Sequence, residues 1–496
     1  MIFIPDYGKW NEKLKELNKI EKERREALTA QQRVEEARRL REKEQEIQRF
    51  EEESWKKISF NDKDFEKVLG WIESNYQSYN HLHEDYKGQD PYKDHPFGME
   101  YVYFAATNGF LQNIDPHSSI IDRSSWARMR AEAEDSTFEG IGALLRGGGP
   151  REVVVETPLP GSPALRSGLR AGDIIRKVDT VDITNLPLSD VVQLIRGPRE
   201  TIVKLEVERT TELRNLEIPI TRDVIVQTAV SSRLIDASKV GDNLVGNNKI
   251  GVIKIQSFLY MENNTSGAVM EEYEKLLKEA GGRLDGLVLD LRGNPGGFLN
   301  EAVEVADLFL PPGRVVVQVR GAGEYKVEKT ERSVQIQGLP IVVLIDAGSA
   351  SASEIVASAL MDHNAALVLG ERSFGKATVQ GITTQGSVVI KLTTARYYAP
   401  RGYTIQVYGV EPDIAVSDEL EGTFPPRWRE EDMWKHLPEL KKREVDTHRK
   451  AWADSVAAAV GDNQAAEDYI KAHANDALKT DFMLIRSLAY VRAMQT

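Results

Sequence analysis

The sequence predicts an α/β multidomain protein, in which an α/β core carries an inserted β-rich domain and is flanked by helical N-terminal and C-terminal regions. Two observations predict the core. Apolar strand-like runs such as IGVIKI and PIVVLID alternate with helix-like runs between residues 226 and 425, and fully apolar strands require a sheet that is covered on both faces. A third observation predicts the insertion, because short β-rich runs separated by glycine and proline turns fill residues 138–225.

The regions on either side of these two domains read as helical. Residues 1–57 are almost free of proline and glycine, and pairs such as Glu21 with Arg25 have the acid-first order that supports an exposed helix. Apolar positions are too sparse for sustained heptads, so a solvated helical arm is favoured over a coiled coil. We expect a helical N-terminal domain at residues 58–137 and a helical C-terminal region at residues 426–496, the latter as an appendage.

Composition excludes several classes of function. Apolar residues make up 41% and charged residues 28% of the 496 residues, which is typical of a globular protein. The net charge of -13 argues against nucleic acid as a partner. The absence of cysteine excludes disulfides and thiolate catalysis. His81 and His83 have no evident third ligand, so we expect neither a metal nor another cofactor.

Neither a membrane span nor a secretory signal is expected. No apolar run approaches the roughly 18 residues that a transmembrane helix needs, and the start MIFIPDYGKW lacks the basic and apolar order of a signal peptide. We therefore expect either a cytoplasmic protein or one whose export signal is missing from this sequence.

A candidate nucleophile follows the run PIVVLID. A small-residue turn leads into a helix whose start, Ser351 with Glu354, matches an S-x-x-E capping box. At a helix N-terminus, free N–H groups and the positive end of the helix dipole could stabilise an oxyanion. The alternative is that the three serines of GSASASE only cap the helix, as serines commonly do.

A serine hydroxyl needs a base, and Lys376 is the candidate. His363 is excluded, because it lies on the same helix roughly 18 Å away at about 1.5 Å per residue. Lys376 follows a glycine turn in GERSFGKATVQ that could bring it over the helix start. Its pKa would have to fall from about 10.4 to roughly 7 to 8, which a dry pocket can achieve. Gln380 could hold the amine through a neutral hydrogen bond. The alternative is an ordinary surface lysine.

The segment DGLVLDLRGNPGGFL places a turn, PGG at residues 295–297, between a strand and a helix. Glycines there let backbone N–H groups approach a ligand closely. Neither phosphate-binding glycine signature is present. A tight turn without a ligand and a donor to an oxyanion both remain open.

The segment FEGIGALL opens the β-rich domain with Gly140, Ile141 and Gly142. Consecutive N–H groups in such a turn form a nest for an anion such as a C-terminal carboxylate, and the adjoining strand edge can accept an extended peptide. On its own this motif is a weak signal.

Taken together, these segments resemble the carboxy-terminal processing peptidases, also called tail-specific proteases. The resemblance covers roughly residues 100–415 and rests on blocks in the family's order: LQNIDPHSS, FEGIGALL, GSPALRSGLRAGDIIRKVD, IGVIKIQSF, DLRGNPGGFL, GSASASEI, FGKATVQ, TTARYYAPRGYTIQ and GVEPDI. It implies a serine endopeptidase that cleaves proteins near an apolar C-terminal tail through a Ser-Lys dyad. It also implies that the β-rich domain is a PDZ domain that captures those tails.

Residue by residue, the resemblance implies a catalytic role for Ser351 as nucleophile, Lys376 as base and Gln380 as the residue that orients the lysine. The backbone N–H groups of Gly297 and Ala352 would form the oxyanion hole. The nest at residues 140–142 would bind the peptide.

Two residues depart from the family's pattern. Ala377 stands where a glycine is usual, and Gly293 stands where an asparagine is usual. Neither is a proposed catalytic side chain, but they leave open a catalytically silent PDZ-containing scaffold.

The resemblance also implies partners and a compartment. Beyond protein or peptide substrates with apolar C-termini, an adaptor protein or a homo-oligomer could bind through the helical arms. Family members are typically exported, which implies an extracytoplasmic location in the periplasm or cell envelope; the alternative is cytoplasmic.

Overall fold

In the computed structural model, most of the chain beyond residue 98 is described. The described ranges are 99–123, 137–147, 153–159, 162–170, 173–183, 188–209, 215–226, 229–236, 246–258, 264–321, 323–417, 429–433, 435–461, 466–469 and 481–495, with a few single residues elsewhere. Nearly all of the predicted arm at residues 1–57 and of residues 58–98 lies outside the described residues, and so do His81 and His83.

The described part of the expected N-terminal domain contains a strand as well as a helix. Helix α1 (Met99–Gln112) is followed by strand β1 (Ser119–Asp122). Strand β1 pairs antiparallel with a strand far along the chain, where Ser119 lies opposite Lys391. The sequence did not predict β1, because four residues are too few to show an alternating pattern.

The β-rich domain is a small antiparallel sheet with two short helices. Its elements are β3 (Ala143–Gly147), β4 (Val153–Pro158), α2 (Pro163–Arg166), β5 (Ile174–Val178), β6 (Val181–Asp182), α3 (Leu188–Ile195), β7 (Ile202–Glu208) and β8 (Leu216–Thr221). Their order in the sheet is β3-β4-β5-β7-β8, with β6 on β5. The alternation predicted for β7 is present, since Val203, Leu205 and Val207 are fully buried.

A two-stranded ribbon connects this domain to the rest of the chain. Strand β2 (Thr137–Gly140) pairs antiparallel with β9 (Asp223–Val226). The chain therefore enters and leaves the β-rich domain at one place, as expected of an insertion.

The α/β core is built on a six-stranded sheet. In spatial order its strands are β10 (Val230–Ile235), β11 (Ile250–Ile255), β12 (Gly286–Asp290), β15 (Ile341–Ile345), β16 (Leu367–Gly370) and β19 (Ile414–Ala415). Strand β10 is antiparallel to β11, and all other neighbours are parallel. Every residue of β12 and β15 is buried, which confirms the prediction of a sheet covered on both faces.

One face of this sheet packs against three helices. These are α4 (Thr265–Glu279), α5 (Leu299–Asp307) and α6 (Ala352–Asp362). Leu287 and Leu289 join their apolar cluster, whereas Val288 points into a second cluster on the opposite face. Because parallel strands end at one edge of the sheet, the turns before α5 and α6 lie side by side.

A second, antiparallel sheet packs beside the first. It contains β1, β13 (Val315–Gly321), β14 (Glu324–Lys329), β17 (Thr378–Gln385) and β18 (Val388–Tyr398). Strand β18 is its centre, because it pairs with β1, β13 and β17. Strand β17 begins two residues after Lys376, so this sheet positions the candidate base.

The C-terminal helices belong to the core, so the expectation of an appendage is wrong. Helices α7 (Thr447–Val460) and α8 (Phe482–Ala493) cover the second face of the six-stranded sheet. Leu484 and Leu488 of α8 are almost completely buried beside Val288. The frequent charges of this region hid its apolar face from sequence analysis.

Candidate active site

Ser351 lies at the N-terminus of α6 in a strained conformation. Its backbone has φ 56° and ψ -113°, and residues other than glycine rarely adopt a positive φ. Such strain costs on the order of 1–3 kcal/mol and tends to occur at functional sites. The predicted helix start is confirmed. A helix cap alone does not require the strained backbone conformation of Ser351.

The neighbouring serines have structural roles that Ser351 does not share. Ser349 and Ser353 are fully buried. The Ser349 hydroxyl donates to the Leu291 carbonyl at 2.9 Å, and the Ser353 hydroxyl donates to the Asn294 carbonyl at 2.9 Å. Ser351 is only half-buried. Among the described residues, it is the one of the three serines in GSASASE whose side chain makes no structural hydrogen bond to a backbone carbonyl.

Glu354 ties the turn of Ser351 to the turn of Lys376. Its fully buried carboxylate accepts hydrogen bonds from the backbone N–H groups of Ser351 at 2.8 Å, Gly375 at 2.7 Å and Lys376 at 3.0 Å, and from the Ser373 hydroxyl at 2.5 Å. Burial raises the pKa of Glu354 to about 7, against the lowering effect of these bonds. The glutamate was predicted only as a helix cap.

Tyr397 makes a second connection between the same two turns. Its hydroxyl lies 3.2 Å from the Ser351 carbonyl oxygen and also contacts the Lys376 carbonyl oxygen. The ring is buried, and burial raises the pKa of this phenol well above its usual value. Tyr397 therefore stays protonated as a donor between the two turns.

Lys376 is partly buried, and its surroundings favour the neutral amine. Burial lowers the pKa of Lys376, and the cation of Lys391 lowers it further, against the carboxylates of Glu430, Glu354 and Asp115. In the part of the chain that the structure describes, no carboxylate oxygen lies within ion-pair distance of the Lys376 amine. The alternative of an ordinary surface lysine is therefore disfavoured.

The structure does not record a contact between Gln380 and Lys376. The amide nitrogen of Gln380 donates to Thr378 Oγ1 at 2.9 Å and to Thr393 Oγ1 at 3.3 Å. Among the described residues, its amide oxygen accepts no hydrogen bond. An oriented acceptor is thus available, and the role of Gln380 stays a prediction.

The turn with Gly296 and Gly297 lies directly against the start of α6. A Cβ atom on Gly296 would come within 2.7 Å of the Ser351 Cβ and 2.9 Å of the Ala352 nitrogen. A Cβ atom on Gly297, whose φ is 151°, would come within 2.0 Å of the Phe258 carbonyl oxygen. No acceptor is recorded for the N–H groups of Gly297 and Ala352 within the described ranges. The two predicted oxyanion donors are therefore adjacent and available.

Asn294 fixes this glycine turn relative to Ser351. Its side-chain amide donates to the Ile255 carbonyl at 2.8 Å. Its own carbonyl accepts hydrogen bonds from the Ala350 N–H at 3.0 Å and from Ser353. The turn before Ser351 and the turn with the candidate oxyanion donors thus share one buried hydrogen-bond network.

Sequence analysis did not identify a hydrogen-bonded group of side chains that contacts the backbone next to Lys376. His117 Nε2 lies 2.9 Å from Glu430 Oε2, and Gln406 donates to Glu430 Oε1 at 2.8 Å. The N–H of Ala377 donates to Gln406 at 2.9 Å. The signal for His117 was the block DPHSS, but its partner lies 313 residues away along the chain.

The predicted peptide nest contains a glycine with positive φ, and its role in peptide binding stays a prediction. Gly142 has φ 72°, and a Cβ there would come within 2.6 Å of Ser162. The carbonyls of Ile141 and Gly142 accept hydrogen bonds from Ala164 and Leu159 at 2.8 and 2.9 Å. The Ile141 side chain is 3% exposed and belongs to the domain's core, so only its backbone could reach a ligand.

The described residues contain no group of three or more potential metal ligands. None of the helices described is both long and apolar enough to cross a membrane.

The α/β core and its inserted β-rich domain define a serine-type peptidase that carries a PDZ domain, and comparisons with known proteins agree. The model of peptidase family S41 matches residues 249–416, and that of the PDZ domain matches residues 131–208. The PDZ domain is a peptide-binding module.

Individual relatives establish the family. A carboxy-terminal-processing protease of Bartonella bacilliformis is 37% identical over 318 residues, which are 64% of this chain and 69% of the relative. A CtpA-like serine protease of Staphylococcus aureus is 33% identical over 368 residues, or 73% and 67% of the two chains. The structure of a photosystem II D1 C-terminal processing protease matches with a TM-score of 0.50 and 27% identity, over 72% of this chain and 95% of that one. The chain belongs to the carboxy-terminal processing peptidases of family S41.

This membership confirms the predicted fold class and the predicted serine-type peptidase activity. None of these comparisons supports the alternative of a catalytically silent scaffold.

Proposed function

We propose that Ser351 is the nucleophile and Lys376 the general base of an endopeptidase that cleaves proteins near their C-terminal tails. One observation carries this proposal. The Glu354 carboxylate accepts hydrogen bonds from the backbone of both residues, so the strained serine and the desolvated lysine belong to one rigid unit. Their chemistry is complementary, because a neutral amine can take the proton of a hydroxyl.

The reaction then follows the steps of acyl transfer. The neutral Lys376 amine removes the proton from Ser351 Oγ, which attacks the carbonyl carbon of the scissile peptide bond. The N–H groups of Gly297 and Ala352 stabilise the resulting oxyanion. The lysine ammonium then protonates the leaving amine as the C–N bond breaks, and an acyl-enzyme remains. Lys376 next takes a proton from water as the water attacks the ester carbonyl carbon. The ester C–O bond then breaks, the acid leaves, and the lysine ammonium returns the proton to Ser351 Oγ.

Gln380 is proposed to orient the base. Its side-chain amide is held by Thr378 and Thr393, and its oxygen could accept a hydrogen bond from the lysine amine. Such a neutral acceptor fixes the amine without raising the pKa of Lys376, as a carboxylate would.

The PDZ domain is proposed to capture apolar substrate tails at Gly140, Ile141 and Gly142. The Ile141 side chain is buried in the domain's core, so a ligand would meet the backbone of this turn, whose N–H groups could bind a carboxylate. We expect a substrate with a free C-terminal carboxylate to be cleaved with a lower KM than the same substrate ending in an amide. Equal KM values for both would contradict the carboxylate site without affecting the Ser-Lys assignment.

The dyad is tested by substitution with matched controls. We expect Ser351→Ala and Lys376→Ala to abolish cleavage of a tailed protein, as followed by mass spectrometry of the fragments. A serine-reactive phosphonate should label the wild-type enzyme but not Ser351→Ala. Ser455→Ala and Lys450→Ala, on the exposed face of α7, serve as controls and should be fully active. Full activity of either dyad variant would refute the assignment.

The division into an arm at 1–57, a helical domain at 58–137, a PDZ domain at 138–225, a protease core at 226–425 and a C-terminal region at 426–496 is likewise a proposal. We propose that the arm recruits an adaptor or a second copy. Deleting residues 1–57 should then reduce the number of chains or bound adaptors per particle, as obtained from the particle mass measured by light scattering. Unchanged mass and activity would contradict this role.

An extracytoplasmic location is proposed from family membership alone. Fractionation of cells that express the native gene should recover the enzyme in the periplasm or cell envelope. Recovery with the cytoplasmic fraction would support the alternative.

A further inference from the structure

A buried ion cluster connects the C-terminal helix to the turn that carries the oxyanion donors. Arg292 Nε and Nη2 donate to Asp290 at 2.9 and 2.8 Å, while Nη1 and Nη2 donate to Asp481 at 2.8 and 2.7 Å. The Arg292 side chain is only 11% exposed. One guanidinium thus bridges a carboxylate at the end of β12 and another at the start of α8.

Arg292 immediately precedes the glycine turn. The next residue, Gly293, donates its N–H to Asp346 at 2.9 Å, and Lys254 lies 3.4 Å from the Arg292 carbonyl oxygen. The turn then continues through Asn294 to Gly297. A shift of the Arg292 backbone would therefore be passed on to the proposed oxyanion donor.

Asp481 has a second bond that anchors it to its own helix. It is the N-cap of α8, and its carboxylate accepts a hydrogen bond from the Leu484 N–H at 3.0 Å. Helix α8 is in turn fixed by its burial against the sheet. The carboxylate is thus held in place before it meets Arg292.

We propose that Asp481 is a positioning residue of the peptidase, which acts through Arg292 to hold the oxyanion turn in its productive geometry. Asp481 accepts two of the hydrogen bonds that orient this guanidinium, and planar guanidinium groups are oriented best by paired, bidentate contacts. Loss of Asp481 would remove the carboxylate on one side of a buried cation, so the turn would move to restore its solvation. This inference rests on the proposed oxyanion role of Gly297.

Asp481→Asn separates this role from simple helix capping. Asparagine caps helices as well as aspartate does, but it cannot pair with Arg292 as a carboxylate. We expect kcat, counted per active site titrated with a phosphonate, to fall roughly 10- to 100-fold, because oxyanion donors act over short distances. KM should change less than about threefold.

The chain offers a closely matched control in Asp446. This aspartate is the N-cap of α7 and pairs with Arg401 at 2.5 Å, but it lies outside the proposed machinery. Asp446→Asn should therefore leave kcat unchanged. A positioning role also predicts weaker binding of a peptide aldehyde, whose adduct carries an oxyanion. Its affinity for Asp481→Asn should fall in proportion to kcat. The conservative variant Asp481→Glu should keep part of the activity.

Combined substitutions test whether the effect of Asp481 on kcat is exerted through Arg292. If Asp481 acts only on Arg292, the double variant Arg292→Gln with Asp481→Asn should be no slower than Arg292→Gln alone. A wild-type kcat in Asp481→Asn, or an equal loss in Asp446→Asn, would overturn the inference. Either result would leave the Ser351 and Lys376 assignment intact, since that assignment depends on the alanine variants.

Discussion

The Glu354 carboxylate accepts a hydrogen bond from the backbone N–H of Lys376 at 3.0 Å, although the two residues belong to different turns of the core. The same carboxylate oxygen accepts from the N–H of Ser351. A helix cap thereby becomes the contact that sets the position of one turn relative to the other. Several predictions about activity and stability depend on this arrangement.

Replacing Glu354 with glutamine should slow catalysis. An amide offers one acceptor oxygen in place of two, and its NH2 group would face donors that need an acceptor. We expect Glu354→Gln to lower kcat roughly 10- to 100-fold through misalignment of Ser351 and Lys376. Steady-state kinetics per titrated active site measure this. Ser358→Ala, a buried change on the same helix, is the control for general packing effects, and an equal loss there would contradict the prediction.

Glu354 should also make the stability of the enzyme depend on pH. Burial raises its pKa from 4.5 to about 7 on folding, so the folded state binds a proton that the unfolded state releases. The free energy of unfolding should therefore fall as pH rises from about 4.5 to 7, by up to about 3 kcal/mol from this group. Urea unfolding across this range should show a shallower fall in Glu354→Gln. Parallel curves for both proteins would contradict the prediction.

Lys391 should influence the pH at which kcat/KM falls on the acidic side of the pH profile. It lies on β18 opposite Ile382 and Ser119, and its cation lowers the pKa of Lys376 in addition to burial. Because the proposed mechanism requires the neutral amine of Lys376, Lys391→Met should raise the pKa of Lys376 and move the acidic limb of kcat/KM to higher pH. The pH profile of kcat/KM checks this shift.

Two variants sharpen that test. Lys391→Arg keeps the charge and should leave the limb in place. Glu430→Gln removes a carboxylate that raises the pKa of Lys376, so it should move the limb to lower pH. A shift in the same direction for Lys391→Met and Glu430→Gln would contradict an electrostatic origin.

The two glycines of the oxyanion turn should respond differently to substitution. Gly297→Ala would place a Cβ 2.0 Å from the Phe258 carbonyl oxygen, and we expect a loss of kcat of roughly 10²- to 10³-fold from the displaced donor. Gly293 has φ 66° with open space around it, a conformation that asparagine tolerates. Gly293→Asn should therefore retain activity and melting temperature. An inactive Gly293→Asn would show that this departure from the family's pattern matters.

Sequence patterns were sufficient for the local structure of the site. The apolar run before Ser351 predicted β15, and the S-x-x-E pattern predicted the start of α6 with the Glu354 contact to Ser351. The glycines at 296 and 297 were expected to allow close backbone approach. A Cβ atom at either position would indeed collide with a neighbouring residue. These features depend on residues near one another along the chain, where periodicity and turn chemistry carry the information.

Long-range contacts could not be predicted in this way. His117 meets Glu430, and Arg292 meets Asp481, across 313 and 189 residues of sequence. Nothing in a local pattern distinguishes those carboxylates from the many exposed acids of a chain with 77 aspartates and glutamates. Helix α8 was taken for an appendage for a different reason: the C-terminal region was judged by its overall charge, although α8 itself is apolar apart from Arg486, Ser487 and Arg492.

Helix α8 also bears on when hydrolysis first becomes available during synthesis. A nascent chain that extends only to β19 already contains Ser351, Lys376 and the glycine turn, yet one face of its central sheet is bare and Arg292 lacks its second carboxylate. On the proposed role of Asp481, a precursor that has not yet reached α8 would be a slow peptidase, because the turn that carries Gly297 would lack one of its anchors.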